Sequence, residues 1–380
     1  MAYTTLDTAN RMERWRKEYF VEYVREHSFG PYMGDTMGEG SMMPIQACYE
    51  LTDGGKSINI PFIEALSNAG VQGTNTLTGN EGALGNHNQK ITVNWNRNAV
   101  TIKKPERHWS EFDLLDRVKP ALQVWNMERL RDDIICAMLA YSGGSILRGK
   151  DADDTNDTVV APLAYYTGIS EAVKDAWLAA NADRFLFGNA ASNNASNDHS
   201  ASLANVDVTN DRMSAAHVSL AKQLVREQTD RRIRPVKQSV SKGRDDFVYF
   251  VGSRAFRDLK QDGAIVQANR DARVRGTADN PLFRDGDLLW DGVIIREIPE
   301  IPVITGVGAS SADVQPGFFC GAGAAAVAWG QRPETTKKDS TDYQFEVGRG
   351  IEECRGVAKM VWNGVQNGVF NTFVAAPATA

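Results

Sequence analysis

Residues 57–104 read SINIPFIEALSNAGVQGTNTLTGNEGALGNHNQKITVNWNRNAVTIKK. The stretch opens in strict alternation, Ile58, Ile60 and Phe62 against Asn59 and Pro61, the period-two pattern of a half-buried strand. It closes the same way, with Ile91, Val93 and Trp95 against Thr92, Asn94 and Asn96. The connection from Leu66 to Gln89 carries Gly70, Gly73, Gly79, Gly82 and Gly85 and hardly a charge beyond Glu81. It is far too long for a tight hairpin turn of about two to five residues. The apolar register changes face between Trp95 and Val100, which predicts a bulge or bend there. A long two-stranded arm cannot bury its own apolar face and is marginal alone. Such an arm lies on a neighbour, which points to assembly before catalysis.

Composition agrees. The chain has 380 residues, 42% of them hydrophobic, ample for a core and more than one compact domain normally holds. A net charge of −6 makes the whole chain a poor electrostatic trap for DNA. Cys48, Cys136, Cys320 and Cys354 are far apart with no Cys-x-x-Cys pair, which argues against a disulfide framework or a zinc ribbon and for a reducing compartment. The N-terminal MAYTTLDTANRMERW has no apolar signal core, no run reaches the length of a membrane span, and no internal repeat is present.

Outward from the arm, Thr8–His27 reads as an amphipathic helix with Met12, Trp15, Tyr19, Tyr23 and Val24 on one face, followed by a glycine-rich strap over 31–44. Such a helix either docks on a partner or packs on its own domain. Ser110 with Asp113 resembles a capping box, Pro120 predicts a break or kink, and Leu122, Trp125, Leu130, Ile134, Met138 and Tyr141 keep helical spacing up to Gly143-Gly144. That is about 30 Å of spine helix. Further helices are expected over Ser170–Leu186 and over 211–238, and the polar run 189–202 reads as an exposed loop. From Asp246 the pattern turns α/β: a strand Phe247–Val251, a helix Ser253–Gln261, two strands or a bent one over Leu288–Ile304, and short alternating strands to the end.

Chemistry is sparse. The acidic run Asp151, Asp153, Asp154, Asp157 fails as a calcium loop, since the glycine and glutamate positions hold Asn156 and Pro162. The five histidines show no metal spacing, and no nucleophile elbow or phosphate loop of the Walker type occurs. Gly321–Ala326 (GAGAAA) matches G-x-G-x-x-A, but Pro333 stops any helix early, and small residues that let backbones approach explain the run equally well. The basic run from Arg226 to Arg244, including Arg231, Arg232 and Arg234, lacks aromatic interleaving and reads either as a phosphate contact or as ion pairs with an acidic neighbour.

Several segments in order resemble the major capsid proteins of tailed bacteriophages with the Hong Kong 97-type fold, in the "phage capsid family" branch. They are LTDGGKSINIPFIEAL (51–66), VQGTNTLTGNEGAL (71–84), QKITVNWNRNAVTI (89–102), DDFVYFVGSRAFRDLK (245–260), NPLFRDGDLLWDGVIIRE (280–297), GAGAAAVAWGQ (321–331) and DYQFEVGRGIEECRGVAKMVWNG (342–364). The resemblance implies an α+β fold: N-terminal arm 1–47, extended loop 48–105, peripheral domain 106–234 with the spine helix 110–141, axial domain 235–340, and closing strands 341–380. It implies a non-enzymatic coat protein without cofactor or metal, assembled in the bacterial cytoplasm into hexamers and pentamers of an icosahedral virion shell. That shell encloses double-stranded DNA without sequence specificity and without a membrane. Expected partners are copies of itself, a portal and a scaffold protein, with a decoration protein as a further possibility. The expected intersubunit contacts are Trp15, Tyr19, Leu77, Glu81, Leu84, Trp95, Arg231, Arg232 and Arg234. Two alternatives stand beside this reading: an encapsulin-type nanocompartment, and a nucleotide-dependent enzyme using Gly321–Ala326.

Overall fold

The computed structural model describes residues 29–34, 43–49, 51, 54–63, 70–109, 114–146, 161–228, 231–236, 246–268, 283–284, 287–338 and 345–378. The first helix with Trp15 and Tyr19, the Ser110–Asp113 cap and the acidic run 151–157 lie outside them. One long helix packs along the first of two sheets, and its C-terminal end shares a core with the second. The first sheet has the strand order Met33–Gly34, Ile45–Cys48, Ala325–Lys337, Glu346–Lys359, Asn94–Lys103. The second runs Phe185–Phe187, Val369–Ala375, Val314–Cys320, Phe247–Val251, Val293–Glu297, Asp287–Trp290, Phe283–Arg284. Hairpin strands Ser57–Ile63 and Asn86–Thr92 form a separate ribbon.

The spine helix spans Leu114–Leu139 and continues through Pro120 without the expected break. Pro120 is exposed and lies in the second turn, so only one backbone donor is lost. Val118 and Leu122 on either side pack with Ile351 in a small cluster that holds this end straight. The other end is buried all round: Leu130, Ile134, Ile135, Cys136, Ala137 and Met138 share one core with Phe185, Phe250, Phe318, Trp329 and Phe373. A sequence stripe on one face understates that burial, because both sheets meet at this end of the helix.

Other expectations need revision. Over 170–186 the helix is Glu171–Ala180, and Phe185–Phe187 leaves it to become a fully buried strand beside Val369–Ala375. Over 211–238 it is Ala215–Glu227, and Arg231 has φ 48° in the extended segment beyond. The polar run 189–202 is tied down rather than loose: Asn193 Nδ2 donates to the Phe187 carbonyl of the preceding strand, Asn194 Oδ1 accepts from Asn197 N–H, and His199 and Ser202 are buried on a short helix. Leu288–Ile304 holds two strands, one of the two forms expected, joined at Asp291-Gly292, both at positive φ, as a primed hairpin turn requires. The closing region has one strand of 14 residues, Glu346–Lys359, where short strands were expected.

Gly321–Ala326 opens no helix. Val314–Cys320 belongs to one sheet, Ala325–Lys337 to the other, and the glycines make the crossover. A Cβ on Gly321 would lie 2.2 Å from the Arg234 carbonyl oxygen, and Gly323 sits at φ +65°. Ala322 N–H donates to the Arg234 carbonyl and Ala324 N–H to that of Pro44. The amides that a phosphate cradle would need are therefore engaged by backbone, and the nucleotide reading has no βα turn to rest on.

Candidate assembly surface

The hairpin is built in two parts with opposite character. At its root one face is buried: Ile60 and Ile91 join Cys48, Val93, Cys354 and Met360 in a cluster. Phe62 and His87 lie against the Trp362 ring, at 5.2 and 5.8 Å between centroids. The Thr92 N–H donates to Ser145 Oγ at 2.8 Å, and Val93 N–H to the Lys56 carbonyl at 3.0 Å. The Thr92 carbonyl comes so close to Gly356 that a Cβ there would sit 2.2 Å away. The chain bends at Val93, earlier than the 95–100 expected, because Asn94–Lys103 leaves the ribbon and pairs antiparallel with Glu346–Arg355.

The tip, 70–85, is exposed almost throughout. A local turn orders it: Asn80 N–H and Nδ2 donate to the Leu77 and Thr76 carbonyls, and Gly79 N–H donates to Glu81 Oε2 at 2.7 Å. Glu81 therefore shapes the tip. Leu77 and Leu84 are 61% and 59% exposed, Ile63 at the end of the first strand 62%, and Trp95 on the edge strand 52%. Val124, Leu163, Val173 and Phe345 are further exposed apolar side chains on the body.

The three arginines divide. Arg231 turns inward, its Nη1 donating to the Trp362 carbonyl and its guanidinium 5.3 Å from the Trp362 ring centre. Arg232 and Arg234 are exposed, with Arg232 Nε on the Gln228 carbonyl. So Trp362 gathers the hairpin on one side and the basic segment on the other.

Sequence reading missed the polar groups buried beneath this surface. Arg355, on the long strand, bridges Asp133 of the spine helix at 2.8 Å and Glu353 beside it, and Asn126 reaches Glu353 at 3.4 Å. Burial pushes the Glu353 carboxyl upward, with the Arg355 charge opposing. Lys359 is fully buried, and its Nζ donates to the Ala140 carbonyl and to Gln366 Oε1, both at 2.7 Å. Desolvation lowers its pKa to about 7. Glu353, Arg355 and Lys359 were legible only as polar residues in a strand, and Asn126 and Asp133 only as polar positions on a helix. Among the described residues no cluster of potential ligands could hold a metal ion, and no helix is long and apolar enough to cross a membrane.

A family model described as phage capsid protein matches residues 3–375. Among solved structures, the cyanophage Pam1 capsid is similar over 100% of both chains at 35% identity and a TM-score of 0.78. The capsid of Ralstonia phage GP4 matches over 92% of this chain and 90% of its own, with 18% identity and a TM-score of 0.67. That of Helicobacter pylori bacteriophage KHP30 matches over 92% of each, with 13% identity and a TM-score of 0.62. These two share the fold. No curated protein matches, and nothing supports the encapsulin alternative. With the family match over nearly the whole sequence, the chain belongs to the phage capsid protein family: it is a major capsid protein of the Hong Kong 97-like fold, a component of the virion shell.

Proposed function

We propose that the chain assembles as hexamers and pentamers into a closed icosahedral shell around double-stranded DNA, and that the hairpin tip is its intersubunit arm. The observation that carries this is the contrast within one hairpin: a buried root, and a tip whose Leu77 and Leu84 stand in solvent. Each could bury on a second copy for about 1.5–3 kcal/mol, repeated at every subunit. Trp95, Arg232 and Arg234 are also exposed and are assigned to the same contact, whereas Arg231 supports it through Trp362. Trp15 and Tyr19 are assigned to the same lattice as part of the N-terminal arm.

The division into arm 1–47, loop 48–105, peripheral domain 106–234 with 341–380, and axial domain 235–340 is part of this reading. The chain acts without catalysis or cofactor, is assembled in the bacterial cytoplasm, and works with a portal and a separate scaffold, with room for a decoration protein. Its acidic balance keeps DNA from adhering to the inner wall.

The test replaces Thr76–Gly85 by a short Gly-Ser turn. The expected outcome is a soluble subunit melting cooperatively near the wild-type temperature, with no closed particles by negative-stain microscopy. An unfolded subunit, or normal particles, refutes the arm.

A further inference from the structure

Gln89 occupies a position where the hairpin pattern calls for an apolar residue. It stands between His87 and Ile91 on the face turned to the body, opposite Ile60 in the ladder, and is 7% exposed. Its amide meets three different elements. Nε2 donates to the Gly143 carbonyl just beyond the spine helix, at 2.9 Å, and to the Lys359 carbonyl at the end of the long strand, at 2.6 Å. Oε1 accepts from Val361 N–H at 2.8 Å, where the terminal two-stranded turn begins. Both amide protons and the carbonyl are thus used.

The surroundings are shaped to this side chain. A Cβ on Gly143 would lie 3.0 Å from Val361 Cβ and 3.4 Å from Gln89 Nε2, so glycine leaves the room in which the amide sits. The Lys359 residue that accepts from Gln89 also grips the end of the spine through Nζ and the Ala140 carbonyl. Helix end, long strand and terminal turn are therefore joined to one another before the hairpin joins them.

Apolar contact is non-directional, so Ile60, Ile91 and Phe62 hold the hairpin against the body without fixing its angle. The Thr92 N–H bond to Ser145 Oγ at the end of the strand fixes one point about which the hairpin can still turn. Hydrogen bonds weaken steeply away from alignment, and three of them to separately anchored groups leave a single orientation. We propose that Gln89 is a positioning residue: it fixes the direction in which the hairpin leaves the body, and with it the angle at which the tip meets a second copy of the chain. The inference rests on the arm reading above.

Gln89→Met keeps the size and removes all three bonds. Spin labels at Thr78→Cys on the tip and Ala172→Cys on the body, both exposed and with the native cysteines buried, report the hairpin direction in subunits purified before shell formation. The expected result is a subunit that melts within a few degrees of wild type, a distance distribution broadened at least twofold, and a several-fold loss of closed particles in favour of open or irregular sheets. Lys90→Met, on the opposite face, leaves both unchanged. An unbroadened distribution overturns the proposal, and so does a broadened one with normal particles. If Gln89→Met does not fold, Gln89→Glu decides: it keeps the acceptor for Val361 and loses both donors, and normal direction and particles there overturn the proposal equally. The Thr76–Gly85 replacement run in parallel separates the two ideas. Normal particles from it refute the arm itself; loss of particles there with normal Gln89 variants refutes only the role of Gln89.

Discussion

Lys359→Met removes one buried ammonium and leaves its volume nearly filled. The wild-type Nζ is fully enclosed, with the Ala140 carbonyl and Gln366 Oε1 at 2.7 Å and the Trp177 ring centre at 6.0 Å. Burial brings its pKa down to about 7 from an ordinary 10.5. Between those values the unfolded chain holds a proton that the folded chain has released, so stability rises with pH by about 1.4 kcal/mol per unit. The penalty is fully present below pH 7, where both states are protonated, and vanishes above the unfolded pKa. Several kcal/mol are therefore at stake across the window. Methionine has no proton to release, and its loss of two hydrogen bonds adds an offset that does not depend on pH. Urea melts of the unassembled subunit at pH 6, 7, 8 and 9 measure the difference between wild type and variant. It should be flat up to pH about 7 and then move in favour of wild type by about 1.4 kcal/mol per unit. Parallel curves from pH 7 to 9 would falsify the argument and mean that the lysine keeps its proton in the core.

Arg355→Met should cost about 3–5 kcal/mol, because Glu353 loses its counter-ion in a dry site and Asp133 is left with Arg129. Adding Glu353→Leu should recover most of that loss in the same melts, since Asp133 keeps Arg129 Nε at 3.6 Å, and no recovery would place the effect elsewhere. Gly321→Val should lower folded yield at a cost of about 1–3 kcal/mol, since its Cβ would collide with the Arg234 carbonyl; equal yield with loss of adenine-nucleotide binding would revive the phosphate reading. His217 is buried against Asn189 and Tyr249, and burial lowers its pKa to about 4. Below pH 6.5 the unfolded chain therefore binds the extra proton, and stability should fall towards pH 4 by about 1.4 kcal/mol per unit relative to His217→Gln. Equal acid slopes for the two proteins would refute this.

Local pattern carried the sequence reading where neighbours in space were also neighbours in sequence. Alternation at Ile58, Ile60, Phe62 and Ile91 placed both hairpin strands, and Phe247–Val251 and Ser253–Gln261 lie where periodicity put them. It failed where a distant segment decides. The bend at Val93 follows from pairing with Glu346–Arg355, far along the chain. Short strands were expected at the end of the chain, yet Gly348, Gly350 and Gly356 lie inside one long strand, where a Cβ on Gly350 would meet Thr336 Oγ1 at 2.8 Å and one on Gly356 the Thr92 carbonyl at 2.2 Å. Gln89, Arg355 and Lys359 follow the same logic: a polar letter in an alternating strand reads as a solvent position, and only the fold reveals that each is buried with partners from remote elements. The exposed Leu77 and Leu84 were legible because nothing near them in sequence could cover them.

The strand Asn94–Lys103 lies antiparallel along Glu346–Arg355 over its whole ten residues. Its interstrand bonds run across the strands, perpendicular to the direction in which the chain enters the hairpin. In mechanical terms, a pull transmitted from the arm along this strand loads the ladder in shear, and every rung resists at the same moment. Peeling, which breaks rungs one by one, would need a force at right angles. Tension along this strand therefore passes into the Glu346–Lys359 ladder and the spine helix packed on it, the direction in which the molecule is stiff.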